Sequence, residues 1–151
     1  MAKIPKCLDF EIPGKPMGKQ RPRMMRTGHA YTPKETINYE NLVRMCFREK
    51  YPEHLPINGK VALDVDAYFP IADSWTKKKK QQALDDEISP HKPDWDNIGK
   101  IVSDALNEIA YKDDAQIYYA SVQKHYSDRP RVEVRIYYSI EDPLHLDELP
   151  F

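Results

Sequence analysis

The sequence predicts an α+β fold in one compact domain. Three observations carry that prediction: apolar residues that alternate strictly in some segments, apolar stripes at helical spacing in others, and turn residues placed to join the last two strands in a hairpin. A length of 151 residues is that of one ordinary domain. Hydrophobic residues at 40% against charged ones at 31% are the balance of a chain that buries a core, not of a disordered one. A chain this long buries roughly 68–70% of its unfolded surface, so it needs neither disulfides nor a structural metal to fold.

The elements follow in order. Leu8, Phe10 and Ile12 alternate with Asp9 and Glu11, a half-buried strand ended by Pro13-Gly14. Residues 13–31 hold Pro, Gly and basic side chains without periodicity and read as a long exposed loop; loops of that length tend to be functional. Thr32-Pro33-Lys34-Glu35 has the pattern of a capping box, with Thr32 as N-cap and Pro33 in the first turn. Tyr39, Leu42, Val43, Cys46 and Phe47 mark one buried helix face, which makes Cys46 a core residue and not a nucleophile. Pro52 stops this helix near Tyr51.

Val61, Leu63, Val65, Ala67 and Phe69 form the clearest strand, with Asp64, Asp66 and Tyr68 on its other face. Asp73 or Ser74 is placed to cap a polar helix that carries Lys77–Lys80 and runs to Ala83-Leu84. Asn97 is placed to cap a third helix, whose buried stripe is Ile98, Ile101, Val102, Ala105, Leu106 and Ile109. Strands near 116–125 and 131–140, joined by Ser127-Asp128-Arg129-Pro130, complete the domain; Tyr118, Tyr119, Tyr126, Tyr137 and Tyr138 are expected to pack in their core or along their edges. The domain is therefore 1–140, followed by an acidic tail at 141–151.

Several classes fall away. No apolar run approaches the ~18 residues of a membrane span, and Met1-Ala2-Lys3-Ile4-Pro5-Lys6 lacks the apolar stretch of a secretion signal. Cys7 and Cys46 offer neither a disulfide framework nor a zinc spacing. The five histidines have no metal-ligand spacing either. The expected compartment is the reducing cytoplasm.

A net charge of −1, from 23 Lys plus Arg against 24 Asp plus Glu, conceals an uneven distribution. Residues 15–26 carry Lys15, Lys19, Arg21, Arg23 and Arg26 and no acid. The last eleven residues carry four acids and no Lys or Arg, so residues 1–140 alone carry +3. A modestly basic body with a basic loop suits phosphate-backbone binding.

The chemistry concentrates in His91-Lys92-Pro93-Asp94-Trp95-Asp96-Asn97-Ile98-Gly99-Lys100 and, further on, Asp113-Asp114-Ala115-Gln116. With an extended backbone after Pro93, Asp94 and Asp96 point to one side and Trp95 packs on the other. Neighbouring carboxylates repel unless they share a proton or bind a cation, and hard divalent ions such as Mg²⁺ prefer carboxylate oxygens. Lys100, early in the helix, would stand near them, where a cation steadies a phosphate or its attacking water. Asp104 is a helix partner of Lys100 at i+4. A dozen helical residues carry the chain ~18 Å, so Asp114 joins the first two acids only if the return path brings it back. The combination describes divalent-metal-assisted hydrolysis of a phosphodiester.

Lys92-Pro93-Asp94-Trp95-Asp96-Asn97-Ile98-Gly99-Lys100, then Asp104-Ala105-Leu106, then Asp113-Asp114-Ala115-Gln116 resembles the RusA family of Holliday-junction resolvases, whose pattern is approximately Pro-Asp-x-Asp-Asn-x-x-Lys, Asp-Ala-Leu, Asp-Asp-x-Gln. Gly14-Lys15-Pro16 and Lys19-Gln20-Arg21-Pro22-Arg23 also look like the basic segment of phage and prophage members, and the resemblance covers about residues 8–140. It implies a two-fold homodimeric endodeoxyribonuclease of DNA recombination and repair that nicks two strands of a four-way junction symmetrically. It implies Mg²⁺, with Mn²⁺ as a substitute. It carries over Asp94, Asp96 and Asp114 as metal-coordinating carboxylates and Lys100 as a catalytic lysine, with Asp113 and Asp104 as supporting acids.

Lys15, Lys19, Arg21 and Arg23 are then expected to contact backbone phosphates without reading sequence. Two alternatives remain at this point. One is a non-catalytic junction or DNA-binding module, which needs the basic loop but no carboxylates; the other is a glycosyltransferase using Asp94-x-Asp96 with a metal-nucleotide. The tail ends in Leu149-Pro150-Phe151 behind Asp147 and Glu148, similar to the acidic tip of bacterial single-stranded-DNA-binding proteins, and suggests a weak protein contact.

Overall fold

The computed structural model describes residues 2–142. The expected contact through Leu149-Pro150-Phe151 lies outside the described residues, as does most of the acidic tail. In chain order the elements are β1 (Lys3–Pro13), β2 (Arg23–Met24), β3 (Ala30–Tyr31), α1 (Lys34–Lys50), β4 (Val61–Pro70), α2 (Lys77–Leu84), α3 (Trp95–Ala105), a 3₁₀ turn (Asp114–Gln116), β5 (Ile117–Ser127) and β6 (Arg131–Glu141). Among the described residues no helix is long and apolar enough to cross a membrane.

The four long strands form a mixed sheet in the order β1-β6-β4-β5. β6 runs antiparallel to both β1 and β4, while β4 and β5 are parallel. A parallel pair needs a long crossover, and the segment between β4 and β5, with α2 and α3, supplies it. The α+β class is therefore as predicted, but the expected hairpin between the last two strands is not there. β4 lies between β5 and β6, and the turn at 128–130 passes over its end. Turn residues specify that the chain reverses, not which strand it lies beside. The consecutive strands that do pair among the described residues are the two-residue β2 and β3, inside what reads from sequence as an unstructured loop.

One face of the sheet is dry. Leu8, Phe10 and Ile12 of β1, Val132, Val134 and Ile136 of β6, and the five alternating apolar residues of β4 are buried there. Tyr39, Val43 and Phe47 of α1 and Ile98, Ile101, Val102 and Ala105 of α3 cover them. Leu42 and Cys46 pack against this core while partly exposed, so Cys46 is a structural thiol. The opposite face is a lattice of ion pairs: Arg135 bridges Asp64 and Asp66, and His125 contacts Asp66 at 2.8 Å.

Helix boundaries shift from their expected positions. α1 begins after Pro33, and no side chain caps it, so the Thr32–Glu35 capping box does not form. Thr76, and neither Asp73 nor Ser74, caps α2 by accepting from the Lys79 amide at 3.2 Å. α3 starts two residues before Asn97, with Asp94 as N-cap.

Candidate active site and DNA-binding surface

The early start of α3 changes the geometry of the acidic motif. Asp94 and Asp96 occupy the N-cap and second helical positions, and residues two apart on a helix do not face each other as they do on a strand. Trp95 is 62% exposed and so does not anchor the segment by packing. The anchor is Lys124 of β5, whose Nζ donates to the carbonyls of His91 and Pro93 at 3.0 and 3.2 Å. Asp94 itself is exposed beside Lys92, 3.5 Å away. Both acids stand at the positive end of α3.

The basic loop folds onto this helix start. The Lys19 amide donates to the Asn97 carbonyl at 2.8 Å, and Thr36 Oγ1 donates to Gln20 Oε1 at 3.1 Å, fastening the loop to α3 and α1. Gly18 is required at the crossing, because a Cβ there would lie 2.6 Å from the Pro93 Cβ. The groove between them, about 420 Å³, is lined by Lys15, Met17, Gly18, Lys92, Asp94 and Asn97 among others. Lys15, Arg21 and Arg23 are exposed along the loop. Lys19 differs: it is 21% exposed and bound to Glu40 Oε1 at 2.6 Å and Asp104 Oδ2 at 3.3 Å. Its partial burial opposes its charge, but those two acids outweigh that and hold its pKa above the usual lysine value.

A second set of carboxylates gathers at the other end of α3. Asp104, on its last turn, faces Lys19 and also Lys100, whose Nζ is 3.9 Å away. After the helix, Asn107 Oδ1 accepts from the Asp114 amide at 2.8 Å. Asp113 and Gln116 cap each other reciprocally, fixing the 3₁₀ turn. Gln116 Nε2 also donates to the carbonyls of Ile57 and Gly59 at 2.8 and 2.7 Å, which pins the turn to the loop before β4. The result crowds three acids. Partial burial pushes the Asp114 carboxyl above the ordinary aspartate range, and hydrogen bonding and repulsion from Asp113 and Asp104 push it further.

The structure thus brings together Lys19, Lys100, Asp104, Asp113 and Asp114. It leaves Asp94 and Asp96 at the opposite end of α3; the helical rise from Asp94 to Asp104 is ~15 Å. Among the described residues no three His, Cys, Asp or Glu side chains stand as a ready metal-holding group. Sequence reading passed over Gly18, Glu40 and Lys124, which act through long-range contacts.

Acids crowded beside lysines, with a basic loop docked on the same helix, are the equipment of an enzyme that hydrolyses phosphate esters. The chain belongs to the RusA endodeoxyribonuclease family: the family model described as Endodeoxyribonuclease RusA matches residues 13–137. It is also 40% identical over 136 residues to the Uncharacterized protein YqaN of Bacillus subtilis (strain 168), spanning 86% of this chain and 95% of that one. The family is one of Holliday-junction endodeoxyribonucleases, in agreement with the resemblance read from the motifs.

Proposed function

We propose that the protein resolves four-way DNA junctions by paired, symmetric nicks, acting as a two-fold homodimer in the cytoplasm. The observation that carries this reading is the crowded acid set at the end of α3, where Asp114 has a raised carboxyl pKa and Lys19 and Lys100 stand beside Asp104. Carboxylates held close at a cost in repulsion are suited to a cation. The donor set is all hard oxygen, which fits Mg²⁺, with Mn²⁺ as substitute. Asp94 and Asp96 of one chain and Asp114 of the other are the proposed ligands, because within one chain they stand at opposite ends of α3, and Asp104 and Asp113 support Asp114. When bound, the ion supplies a lowered pKa for water and neutralises charge developing on the scissile phosphate.

The chain's own residues do the rest. Lys100, 61% exposed at its side chain, presents its ammonium to the phosphate. Lys15, Arg21 and Arg23 contact the flanking backbone, and Lys19 adds charge at the base of the same loop while holding Asp104 in place. A junction has approximate two-fold symmetry, so a two-fold dimer offers one set of catalytic groups to each nicked strand. Asp94→Asn is expected to bind a synthetic mobile junction as the wild type does and to fail to cleave it at saturating Mg²⁺. Wild-type cleavage by that variant, measured on a denaturing gel, contradicts the assignment.

A further inference from the structure

The tyrosines near the start of β5 and the end of β6 are not all packed away as the sequence suggests. Tyr118 and Tyr137 are 65% and 44% exposed. At Tyr118 the register shifts: Val61 pairs with Ile117 but Ala62 pairs with Tyr119, which leaves Tyr118 without a partner on β4. A bulge of this kind re-aims a side chain. Together with Tyr138 and with Lys3, Lys6 and Lys60, these residues line a pocket of about 420 Å³. Lys60 Nζ sits 4.6 Å from the centre of the Tyr118 ring. Among the described residues no acid lines the pocket; the nearest by strand register is Glu141, which pairs with Lys3 in the ladder.

Aromatic faces interleaved with lysines are what single-stranded nucleic acid binds: bases stack on the rings, and ammonium groups follow the phosphates. The placement supports the same ligand. Gly59 and Lys60 belong to the loop that Gln116 holds, two residues from Asp114, so the pocket adjoins the acid-bearing turn. We infer that this pocket is a second, non-catalytic DNA site that takes an unpaired nucleotide of a strand passing the Asp114 turn. It rests on the DNA reading above and names the part of the substrate that the sheet end receives. Bases within a duplex are stacked on both faces, so single strands and opened junction centres are its ligands.

Fluorescence anisotropy with a labelled oligothymidylate tests this on the full chain. The double variant Tyr118→Ala, Tyr137→Ala should bind about tenfold more weakly, since stacking on one aromatic ring is worth of that order. Lys60→Gln, a change at an exposed side chain, should weaken binding severalfold and flatten its salt dependence. Wild-type affinity in both preparations overturns the pocket and leaves the proposed cleavage untouched. Tight oligothymidylate binding by a wild-type protein that never nicks a four-way junction removes the cleavage and leaves the pocket.

Discussion

At the scale of single residues, ion pairs on the open sheet face make the protein sensitive to pH. His125 is 20% exposed at its side chain, with Asp66 at 2.8 Å, Asp86 at 3.3 Å and the Tyr68 ring stacked on it. Burial alone would lower its pKa, but the two carboxylates outweigh that and raise it above 6.5. A histidine raised in this way stabilises the fold fully below its unfolded pKa, and the contribution is lost as pH rises through the folded value. Melting temperature is therefore expected to fall as pH rises above 6.5, the value from which His125 is raised. His125→Gln should reduce that fall by about 1 kcal/mol, or roughly 2–4 °C at this chain length. An unchanged pH slope in the variant rules out the pairing.

Among the elements, α3 joins the basic loop to the acids. Its buried stripe was plain in the sequence, because Ile98, Ile101, Val102 and Ala105 follow helical spacing, and all four are fully buried. Its first residue was not. Asn97 is as good a cap as Asp94 by residue type, and the choice between them depends on Lys124 and Gly18 holding the preceding segment from distant parts of the chain. The same limit explains why Lys19 was legible as a basic loop residue but not as the partner of Glu40 and Asp104: composition reports charge, and pairing depends on the fold. Gly18→Ala tests the junction between loop and helix. With the new Cβ 2.6 Å from that of Pro93, a loss of about 1–3 kcal/mol in stability is expected, together with weaker junction binding. Chemical denaturation reads the first and anisotropy the second; a neutral substitution would mean that the loop does not rest on α3.

For the whole molecule, the two ends of α3 set a condition on the assembly. The proposed ligands Asp94 and Asp114 are separated within one chain by the length of that helix, so an ion held by both draws on two copies. Asp94→Asn and Asp114→Asn are each expected to be inactive alone. Mixed dimers of the two, formed by co-expression, should recover nicking of one strand. Inactive mixed dimers would place each complete site within a single chain.

The strand order has one more consequence. β6, the last element among the described residues, lies between β1 and β4, pairing with β1 along its whole length and with β4 along most of it. A chain still on the ribosome without residues 131–141 has no centre to its sheet, and β1 and β4 wait with unpaired edges. Contacts this far apart in sequence form slowly, so the fold closes only after synthesis has passed the domain's final strand. A nascent chain thus exposes its basic loop well before it has the complete sheet on which α3 and the acid-bearing turn rest.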